Sequence, residues 1–536
     1  MASREIELKL RIDPQHLARL RNAPALAGAQ AKPITQNLES VYYDTEDLRL
    51  RGRDVTLRVR KQGKRFIQTI KSATDHVGGV LSRGEWECPV PGAEPDLGAF
   101  SDQEALRQLG PVTADELKPV FAAHIKRTVQ MLNGTAGRDA DTQIEVAFDR
   151  GEIRAFDGTM LEVAEVELEL KSGHPKALFD LALELAESAP LRVETRTKSE
   201  RGYALVSGEA ESAVKAEKLE LTSDHTAEQA LASIMRNCLT HVVLNETAAL
   251  KGEDPEGIHQ MRVALRRLRS ALGLFRDLVP ADQYDWLAGE VKWLAGELGN
   301  ARDWDVFLTD LLAPVEEAFS NEARGQDGSL DGRAGPVDAL HEAGSAARTA
   351  AYERARAAIL SPRYTALLLK LGGWLEARSW RQQNVSEDAA RLFAPVAELA
   401  DGLLAKRHKK VRKRGAGFAD LEPAERHKLR IACKKLRYAA EFFRSLYPDK
   451  AATRYIRQLA ALQDDLGHLN DVATAESLIS RLGDEAGGAT DGTWRVGGGM
   501  VIGWHARGVD RIEPQLIEDW ENFRKAKPFW SKPAKG

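Results

Sequence analysis

The sequence predicts a multidomain α+β protein, in which an antiparallel sheet or barrel precedes an all-α region of duplicated helical bundles. Three observations support this fold class. Short segments that alternate apolar and polar residues fill the first part of the chain, and helical spacing of apolar residues replaces them further on. Two motifs of the helical part recur at one offset. Because 536 residues exceed one ordinary domain, we expect domains at 1–205 and 220–530, joined by a linker at 206–219.

Composition narrows the functional classes. Hydrophobic residues make up 43% of the chain and charged residues 29%, and no apolar run is long enough to cross a membrane. We expect a cytoplasmic protein, since the chain enters a charged strand directly without a signal peptide. Cys88, Cys238 and Cys433 are far apart, which fits a reducing compartment and argues against a thiolate metal site. The net charge of −4 does not favour general nucleic-acid binding.

The first strand, residues 5–12, sets the pattern of the N-terminal part. Successive side chains of a strand point to opposite faces. Its apolar face consists of Ile6, Leu8, Leu10 and Ile12. Its polar face consists of Glu5, Glu7, Lys9 and Arg11. Two carboxylates followed by a cation fit either a solvated surface or half of a metal–phosphate site.

The polar faces of the later strands are segregated by charge. Glu165, Glu167 and Glu169 form an acidic row, whereas Arg58 and Arg60 form a basic one. Like charges that are close together on a sheet destabilise it unless an opposite charge compensates them. We therefore favour a closed barrel with inward polar faces over solvated strands. Carboxylates suit Mg²⁺ or Mn²⁺ and basic side chains suit phosphate oxygens, so the interior predicts a metal-bound polyanion.

Several motifs in order resemble the CYTH superfamily, the triphosphate tunnel metalloenzymes, over about residues 1–205. They are Glu5-x-Glu7-x-Lys9, Tyr43-Asp44-Thr45, Leu57-Arg58-Val59-Arg60, Thr69-Ile70-Lys71, Glu165-x-Glu167-x-Glu169, and Lys198 ahead of Arg201-Gly202-Tyr203. The resemblance implies an eight-stranded antiparallel tunnel barrel that binds a triphosphate with a divalent metal. Members of the superfamily include inorganic, thiamine and RNA triphosphatases and class IV adenylate cyclases.

The resemblance also implies roles for individual residues. The implied metal ligands are Glu5, Glu7, Asp149, Glu165, Glu167 and Glu169. The implied substrate ligands are Lys9, Arg58, Arg60, Lys71, Arg83, Arg127 and Lys198, of which Arg83 and Arg127 also fit a plain surface. Glu5, Glu7, Lys9 and Glu169 are the candidate catalytic residues, and Glu85 and Glu145 are further inward candidates. No Ser–His or Cys–His arrangement calls for a covalent intermediate, so we expect hydrolysis of a terminal phosphoanhydride.

The helical part contains an internal repeat. The segment from His259 to Leu272 places its basic residues on one helix face, and a matching segment begins at His427. A companion motif keeps the same offset of 168 residues, from Asp303 to Asp471. Two motifs that return in one register indicate a duplication, which predicts two bundles related by a pseudo-twofold axis. We expect the terminal aromatic residues to close the bundle: Trp504, Trp520, Phe523, Phe529 and Trp530.

This second region resembles the CHAD domain, the conserved-histidine α-helical domain, over about residues 220–530. The resemblance implies that basic helix faces bind inorganic polyphosphate. The implied ligands are His259, Arg262, Arg266, Arg269, His427, Arg430, Lys434 and Arg437. A third basic cluster lies at 406–414. Solvated helix faces are the plain alternative. Since neighbouring arginines repel cations, phosphate contacts or pairing with Asp303 and Asp471 fit the two histidines better than metal binding.

The tandem order resembles bacterial CYTH–CHAD inorganic triphosphatases. We therefore predict an inorganic triphosphatase whose substrate is triphosphate and whose second domain binds polyphosphate, with no membrane partner and no specific nucleic acid. The alternatives are a polyphosphate-binding protein without turnover, or a thiamine triphosphatase or adenylate cyclase. An RNA-binding second half is disfavoured, because its basic faces lack interleaved aromatic residues. Oligomeric state and metal preference stay open.

Overall fold

A computed structural model describes residues 3–28, 32–72, 75–77, 80–134, 141–208, 212–323, 335–383, 386–485 and 492–531. Side chains are described throughout these ranges except at 3–5, 75–77, 80–83, 320–323, 388, 468, 470, 483–485, 509–511 and 531. Contacts between described residues divide the chain into two units. The first unit is Met1–Ser212 with Ile359–Ser379, and the second is Ala213–Ala358 with Trp380–Gly536.

Ten strands of the first unit form one antiparallel sheet. They are β1 (Ser3–Ile12), β2 (Ile34–Asp44), β3 (Thr56–Gln62), β4 (Arg65–Lys71), β5 (Asp75–Val77), β6 (Val80–Val90), β7 (Lys118–Asn133), β8 (Gln143–Ala155), β9 (Met160–Ser172) and β10 (Leu191–Glu194). The order β1-β9-β8-β7-β2-β3-β4-β6 closes into a ring, because β6 also pairs with β1. The predicted antiparallel barrel is therefore confirmed, with eight strands in the ring and with β5 and β10 as additional strands at its edges.

Strand β1 closes the ring because it changes partner along its length. Its first half, Ser3–Leu8, pairs with β6, while Glu7–Arg11 pairs with β9 on the other side. The pairing with β6 ends at Leu8, and from Lys9 to Ile12 the same edge of β1 pairs with β10. The alternation of β1 places the apolar residues Leu8 and Leu10, both fully buried, on the face opposite the polar residues.

Helices cover the apolar outside of the ring. The first unit contains α1 (Leu17–Arg21), α2 (Gln103–Leu109), α3 (Lys176–Ser188) and α4 (Lys198–Ser207). The apolar stripe of α3, which includes Leu178 and Leu181, packs on β1 and β9. A helix from much later in the chain, Pro362–Glu376, packs on α3 in turn, and Thr365 Oγ1 donates a hydrogen bond of 2.6 Å to the Leu191 carbonyl. The predicted boundaries assign this helix to the helical domain, whereas its contacts join it to the first unit.

The remaining helices form the second unit, with Pro362–Glu376 as α12 in chain order. They are α5 (Ala227–Leu244), α6 (Glu246–Lys251), α7 (Glu256–Leu274), α8 (Ala281–Glu297), α9 (Gly299–Val306), α10 (Ala313–Ala323), α11 (Pro336–Ile359), α13 (Glu387–Ala390), α14 (Val396–Arg414), α15 (Pro423–Phe443), α16 (Asp449–Glu485) and α17 (Thr493–Lys525). When 168 is added to their residue numbers, the ranges of α5, α7 and the α8–α9 pair overlap those of α14, α15 and α16, respectively. The helical C-terminal region is thus confirmed, and its element order follows the duplication.

The aromatic residues near the C-terminus divide into two groups. Trp520, Phe523, Phe529 and Trp530 are buried, as predicted for residues that close the bundle. Their rings meet at edge-to-face or tilted angles, and Phe523, Phe529 and Trp530 pack on Tyr455. The prediction for Trp504 was wrong, because this side chain is 46% exposed and its ring meets only the half-exposed Phe319 at 6.4 Å among the described ring contacts. None of the helices within the described ranges combines the length and the apolar composition that a membrane crossing needs.

Candidate active site and basic helix face

The polar faces of the ring surround a cavity of about 310 Å³, which we call the tunnel cavity. Its described lining contains seven basic side chains and five carboxylates. The basic residues are Lys9, Arg58, Arg60, Lys71, Arg127, Lys171 and Lys198. The carboxylates belong to Glu7, Glu85, Glu87, Glu167 and Glu169. Both charge types therefore face one enclosed space, as the alternation of the strands predicts.

Strand register places three glutamates side by side across the tunnel wall. Glu7 of β1 lies opposite Glu169 of β9, and Glu169 lies opposite Glu145 of β8. We call these three residues the acidic row. The ammonium group of Lys171 lies 2.6 Å from Glu169 and 3.8 Å from Glu145, so it supplies one positive charge beside the row. Adjacent like charges repel, and a cation stabilises them.

A second set of carboxylates lies further along β8 and β9. Asp149, Glu165 and Glu167 are buried, and each offers an oxygen within 4.8 Å of the others. Arg127 binds both oxygens of Asp149, with nitrogen–oxygen distances of 2.7 and 2.6 Å, and also contacts Glu167. Lys198 contacts all three carboxylates, at 2.6 Å from Asp149 and 2.9 Å from Glu167. We call the three carboxylates the paired cluster.

Two more cations complete the neutralisation of the paired cluster. Arg201 pairs with Glu165, and Lys9 pairs with Glu167 and, at 2.8 Å, with Glu7. Helix α4 aims Lys198 and Arg201 at one strand because they are three residues apart on its first turn. A capping box between Thr197 and Glu200 fixes that turn.

The pKa shifts follow from this pairing. Burial disfavours the charged amine of Lys198, but the carboxylates of Asp149, Glu165 and Glu167 together raise its pKa above the ordinary lysine value. Burial likewise opposes the ionised form of Glu167, yet Lys198, Lys9 and Arg127 hold its pKa well below the usual range. Glu167 and Lys198 are therefore both charged at neutral pH, within a preformed network.

The acidic row fits a divalent cation better than the paired cluster does. Mg²⁺ and Mn²⁺ prefer carboxylate oxygens, which both sets offer. In the paired cluster, however, four cations already surround three carboxylates, so a metal ion would meet strong repulsion there. Glu7 and Glu169 of the acidic row also line the tunnel cavity, and Glu145 lies beside Glu169 in register.

The basic side of the cavity suits an anion. Burial, and then Arg58 and Arg127, lower the pKa of Arg60 to about 10. The Nε of Arg58 is buried and has no hydrogen-bond partner among the described atoms. Lys71 lies 2.9 Å from Glu85 across the wall. Cations that repel one another in a buried space are stabilised when a polyanion enters it.

The structure brings most of the predicted tunnel residues together. Beside the residues above, β1 and β6 place Glu5 and Arg83 opposite one another in register, but the side chains of both lie outside the described residues. Tyr42, Glu87, Lys171 and Arg201 were missed. The alternation that starts at Glu165 leads directly to Lys171, and that of β6 leads to Glu87, so extending either pattern by one step would have found them. Arg201 stands in a quoted motif without an assigned role.

In the helical unit, one set of predicted ligands converges from both repeats. Arg262 and Arg266 of α7 approach Arg430 and Lys434 of α15, and we call these four residues the central basic face. Arg262 contacts Asp303 at 3.2 Å and Arg430 contacts Asp471 at 3.9 Å, which is the same ion pair in both repeats. The Nε atoms of Arg266 and Arg430 are buried without a described hydrogen-bond partner. His259 adjoins this face, and burial followed by Arg302 lowers its pKa.

Two other predicted ligands lie apart from this face. Arg269 lies near Lys435, Arg407, Lys410 and Arg414, where the basic cluster of α14 meets α15. Arg437 lies 3.4 Å from Glu441 instead. The eight predicted ligands therefore do not form one continuous surface around the central basic face.

The fold and its cavity define a tunnel domain with a highly charged interior, followed by a duplicated helical domain. Comparison with known families agrees: residues 3–203 match the model of the CYTH domain, and residues 233–480 match that of the CHAD domain. The chain therefore contains a CYTH domain and a CHAD domain.

Individual relatives match separate parts of the chain. It is 32% identical over 203 residues to the inorganic triphosphatase of Haemophilus influenzae, which covers 38% of this chain and 54% of that protein, so the chain spans about half of its relative. The CHAD domain structure from the plant Ricinus communis is 34% identical and covers 57% of this chain and 96% of its own, with a TM-score of 0.47. A putative adenylyl cyclase from Hippeastrum, described as having a dominant triphosphatase activity, is 18% identical and covers 37% and 95%, with a TM-score of 0.30.

Proposed function

We propose that this protein is a metal-dependent inorganic triphosphatase that hydrolyses triphosphate to diphosphate and phosphate, and that its helical domain binds inorganic polyphosphate. The observation that carries the proposal is the tunnel cavity, in which an acidic row borders seven basic side chains. The sequence similarity to an inorganic triphosphatase supports the same reaction.

In this proposal, Arg58, Arg60 and Lys71 bind the phosphate oxygens, and the paired cluster positions Arg127 and Lys198 to do the same. Phosphoryl transfer depends on in-line positioning and on neutralising the charge of the phosphate oxygens, which these five side chains provide. Glu7, Glu145 and Glu169 would hold Mg²⁺ or Mn²⁺, which when bound neutralises phosphate charge and activates water. Glu5 belongs to the proposed metal ligands by sequence.

The lining of the cavity favours inorganic triphosphate over a nucleotide or thiamine triphosphate. A base or a thiazolium ring needs apolar or aromatic surface against which to pack. Among the described lining residues, Tyr42 is the one aromatic side chain, and it lies beside Arg58 and Arg60. Charges occupy most of the rest, which matches a substrate made of phosphate alone.

A substrate panel tests the catalytic proposal. Phosphate release from triphosphate, ATP, thiamine triphosphate and long-chain polyphosphate is measured with Mg²⁺ and with Mn²⁺. We expect triphosphate to have the highest kcat/KM and Glu169→Gln to lower it at least about hundredfold. The matched control is Glu162→Gln, an exposed glutamate on the same strand, which should keep full activity. Equal loss in both variants, or no metal dependence, would overturn the assignment of the acidic row.

The central basic face supports the polyphosphate proposal. The face contains four cations from two helices, and two described carboxylates, Asp303 and Asp471, form ion pairs with them. A net positive charge therefore remains. Removing Arg266 and Arg430 together as alanines should weaken binding of long-chain polyphosphate at least about tenfold and flatten its salt dependence. Arg354→Ala, an exposed position on α11, serves as the control and should bind normally. Unchanged, salt-insensitive binding in the double variant would refute this role.

A further inference from the structure

The segment 213–221, which we call the strap, runs without helix or strand along the helical unit. Side chains hold both of its ends. The Val214 amide donates to Asn245 at 2.8 Å, and Asn245 donates back to the Val214 carbonyl at 2.9 Å. Ser445 makes the same two-way contact with Leu221, at 2.8 and 2.9 Å. Most of the strap lies within the predicted linker, yet these contacts fix it against the helices.

A cavity of about 550 Å³ lies beneath the strap, and we call it the strap cavity. The strap supplies one wall, α5 and α7 supply another, and the end of α15 supplies the third. Arg267 and Arg437 reach it from the two repeats. The lining also contains the basic residues Lys215, Lys218 and Arg444 and the carboxylates of Glu217, Glu220, Glu441 and Asp449. Residues of the central basic face are absent from its described lining, which makes it a separate site.

Arg267 carries a buried charge for which the described residues offer no close ion pair. This side chain is 7% exposed, and one of its terminal nitrogens donates to Asn237 at 2.8 Å. The other terminal nitrogen, Nη1, is buried and has no hydrogen-bond partner among the described atoms. No described carboxylate lies within ion-pair distance of it, although Glu441 interacts with it at longer range, and its guanidinium lies 5.4 Å from the centre of the Phe442 ring. A buried donor without an acceptor destabilises the protein unless something binds to it.

Arg437 adds a second donor to the same cavity. Its Nε is also buried without a hydrogen bond, and Glu441 at 3.4 Å offers only partial compensation. Burial raises the pKa of Glu441, although Arg437 and Arg267 oppose that rise. At the rim, Arg444 is already paired with Asp449 at 2.5 Å. The two arginines that line the cavity therefore each keep one buried nitrogen without a hydrogen bond to the described atoms.

We propose that the strap cavity binds a small phosphate oxyanion, with Arg267 and Arg437 as its donors and the strap as its cover. Guanidinium groups match the geometry of phosphate oxygens, and two of them in a buried cavity favour a doubly charged tetrahedral anion. Free orthophosphate and the terminal phosphate of a chain share this chemistry. The site does not depend on polyphosphate binding at the central basic face.

Protection of the strap from trypsin tests the proposal in the full-length protein. Lys215 and Lys218 are exposed and lie in the strap, so trypsin can cleave after each of them. We expect orthophosphate to slow cleavage at both positions, whereas chloride at equal ionic strength has no effect. Tripolyphosphate and long-chain polyphosphate form the other arms. Protection by the chains but not by orthophosphate would assign the site to a chain end.

Variants localise the effect. Arg267→Met should raise the orthophosphate concentration needed for protection at least about tenfold, and Arg437→Gln should do the same if the first variant fails to keep its far-UV circular dichroism. The control Arg354→Met should protect like the wild type. The proposal is overturned if no phosphate species protects the strap, or if folded variants at both arginines are protected as well as the wild type.

Discussion

Replacing Lys434 with arginine should remove a pH dependence from polyphosphate binding. Lys434 belongs to the central basic face, where its counterpart in the first repeat is Arg266. Burial, followed by repulsion from Arg430 and Arg266, lowers the pKa of Lys434 to about 7, although Asp471 on α16 opposes the shift. Arg262 of α7 adds further repulsion. An arginine at this position cannot lose its proton, whereas lysine can.

The sign of the effect follows from linkage. The folded-state pKa lies below the ordinary lysine value of 10.5, so between pH 7 and 10.5 the unfolded chain binds more protons and stability rises with pH. A bound polyanion favours the charged amine and raises its pKa again. Affinity is therefore constant below the free-protein pKa and falls above it, by up to about tenfold per pH unit for one proton. From pH 6 to pH 8.5 the expected loss is about thirtyfold.

Titration calorimetry at several pH values, in pairs of buffers with different ionisation heats, measures both affinity and proton uptake. The wild type should take up about one proton on binding near pH 8, and Lys434→Arg should take up none and keep a flat profile. The control Lys292→Arg, an exposed lysine on α8, should behave like the wild type. A flat wild-type profile, or an unchanged slope in Lys434→Arg, would refute the reasoning. Absence of binding at every pH would instead refute the polyphosphate proposal.

Three further predictions concern the stability of the first unit, followed by thermal and urea unfolding. Asp44→Ala should lower the free energy of unfolding by at least about 3 kcal/mol. The reason is that Asp44 accepts hydrogen bonds from the backbone N–H groups of Thr45, Leu50 and Arg51 and from the hydroxyl of Tyr203. Asp47→Ala, at an exposed position, is the control for the loss of charge. Gly372→Ala should lower the free energy of unfolding by about 1–3 kcal/mol, because an added Cβ would lie 2.2 Å from the Phe179 ring. Gly52→Ala is the control, since a Cβ at that position meets open space. Glu165→Gln should lose about 3–5 kcal/mol, because Arg201 would be left as a buried unpaired cation. Unchanged midpoints would contradict each in turn.

Much of the fold could be predicted because alternation and helical spacing are local signals. The strands that carry Glu5–Ile12 and Glu165–Leu170 were found from their period alone. The edge strands β5 and β10 were not, since three and four residues are too few to show a period. Helix α12 was assigned to the helical domain because an apolar stripe does not reveal its partner, which is α3 of the first unit.

The sequence alone did not predict which site carboxylates pair with basic side chains and which form the acidic row. All six predicted metal ligands look alike as acidic residues at alternate positions. Register and helix α4 distinguish them: Glu165 and Glu167 meet Lys198 and Arg201, while Glu169 lies beside Glu145. Such distinctions depend on which strands become neighbours, and a single sequence pattern carries no information about that.

In the proposed function, the two sets of carboxylates allow one wall to hold a metal ion and a polyanion together. Without partners, Arg127 and Lys198 would repel a nearby metal ion. The carboxylates of the paired cluster form ion pairs with both side chains and so compensate their charge. Their charge is compensated in the wall while Lys198 and Arg127 still line the cavity. Glu7 and Glu169 line the same cavity, where Lys9 lies 2.8 Å from Glu7 and Lys171 lies 2.6 Å from Glu169. In the proposed function, these ion pairs lower the repulsion between the phosphate-binding cations and a metal ion held by the acidic row.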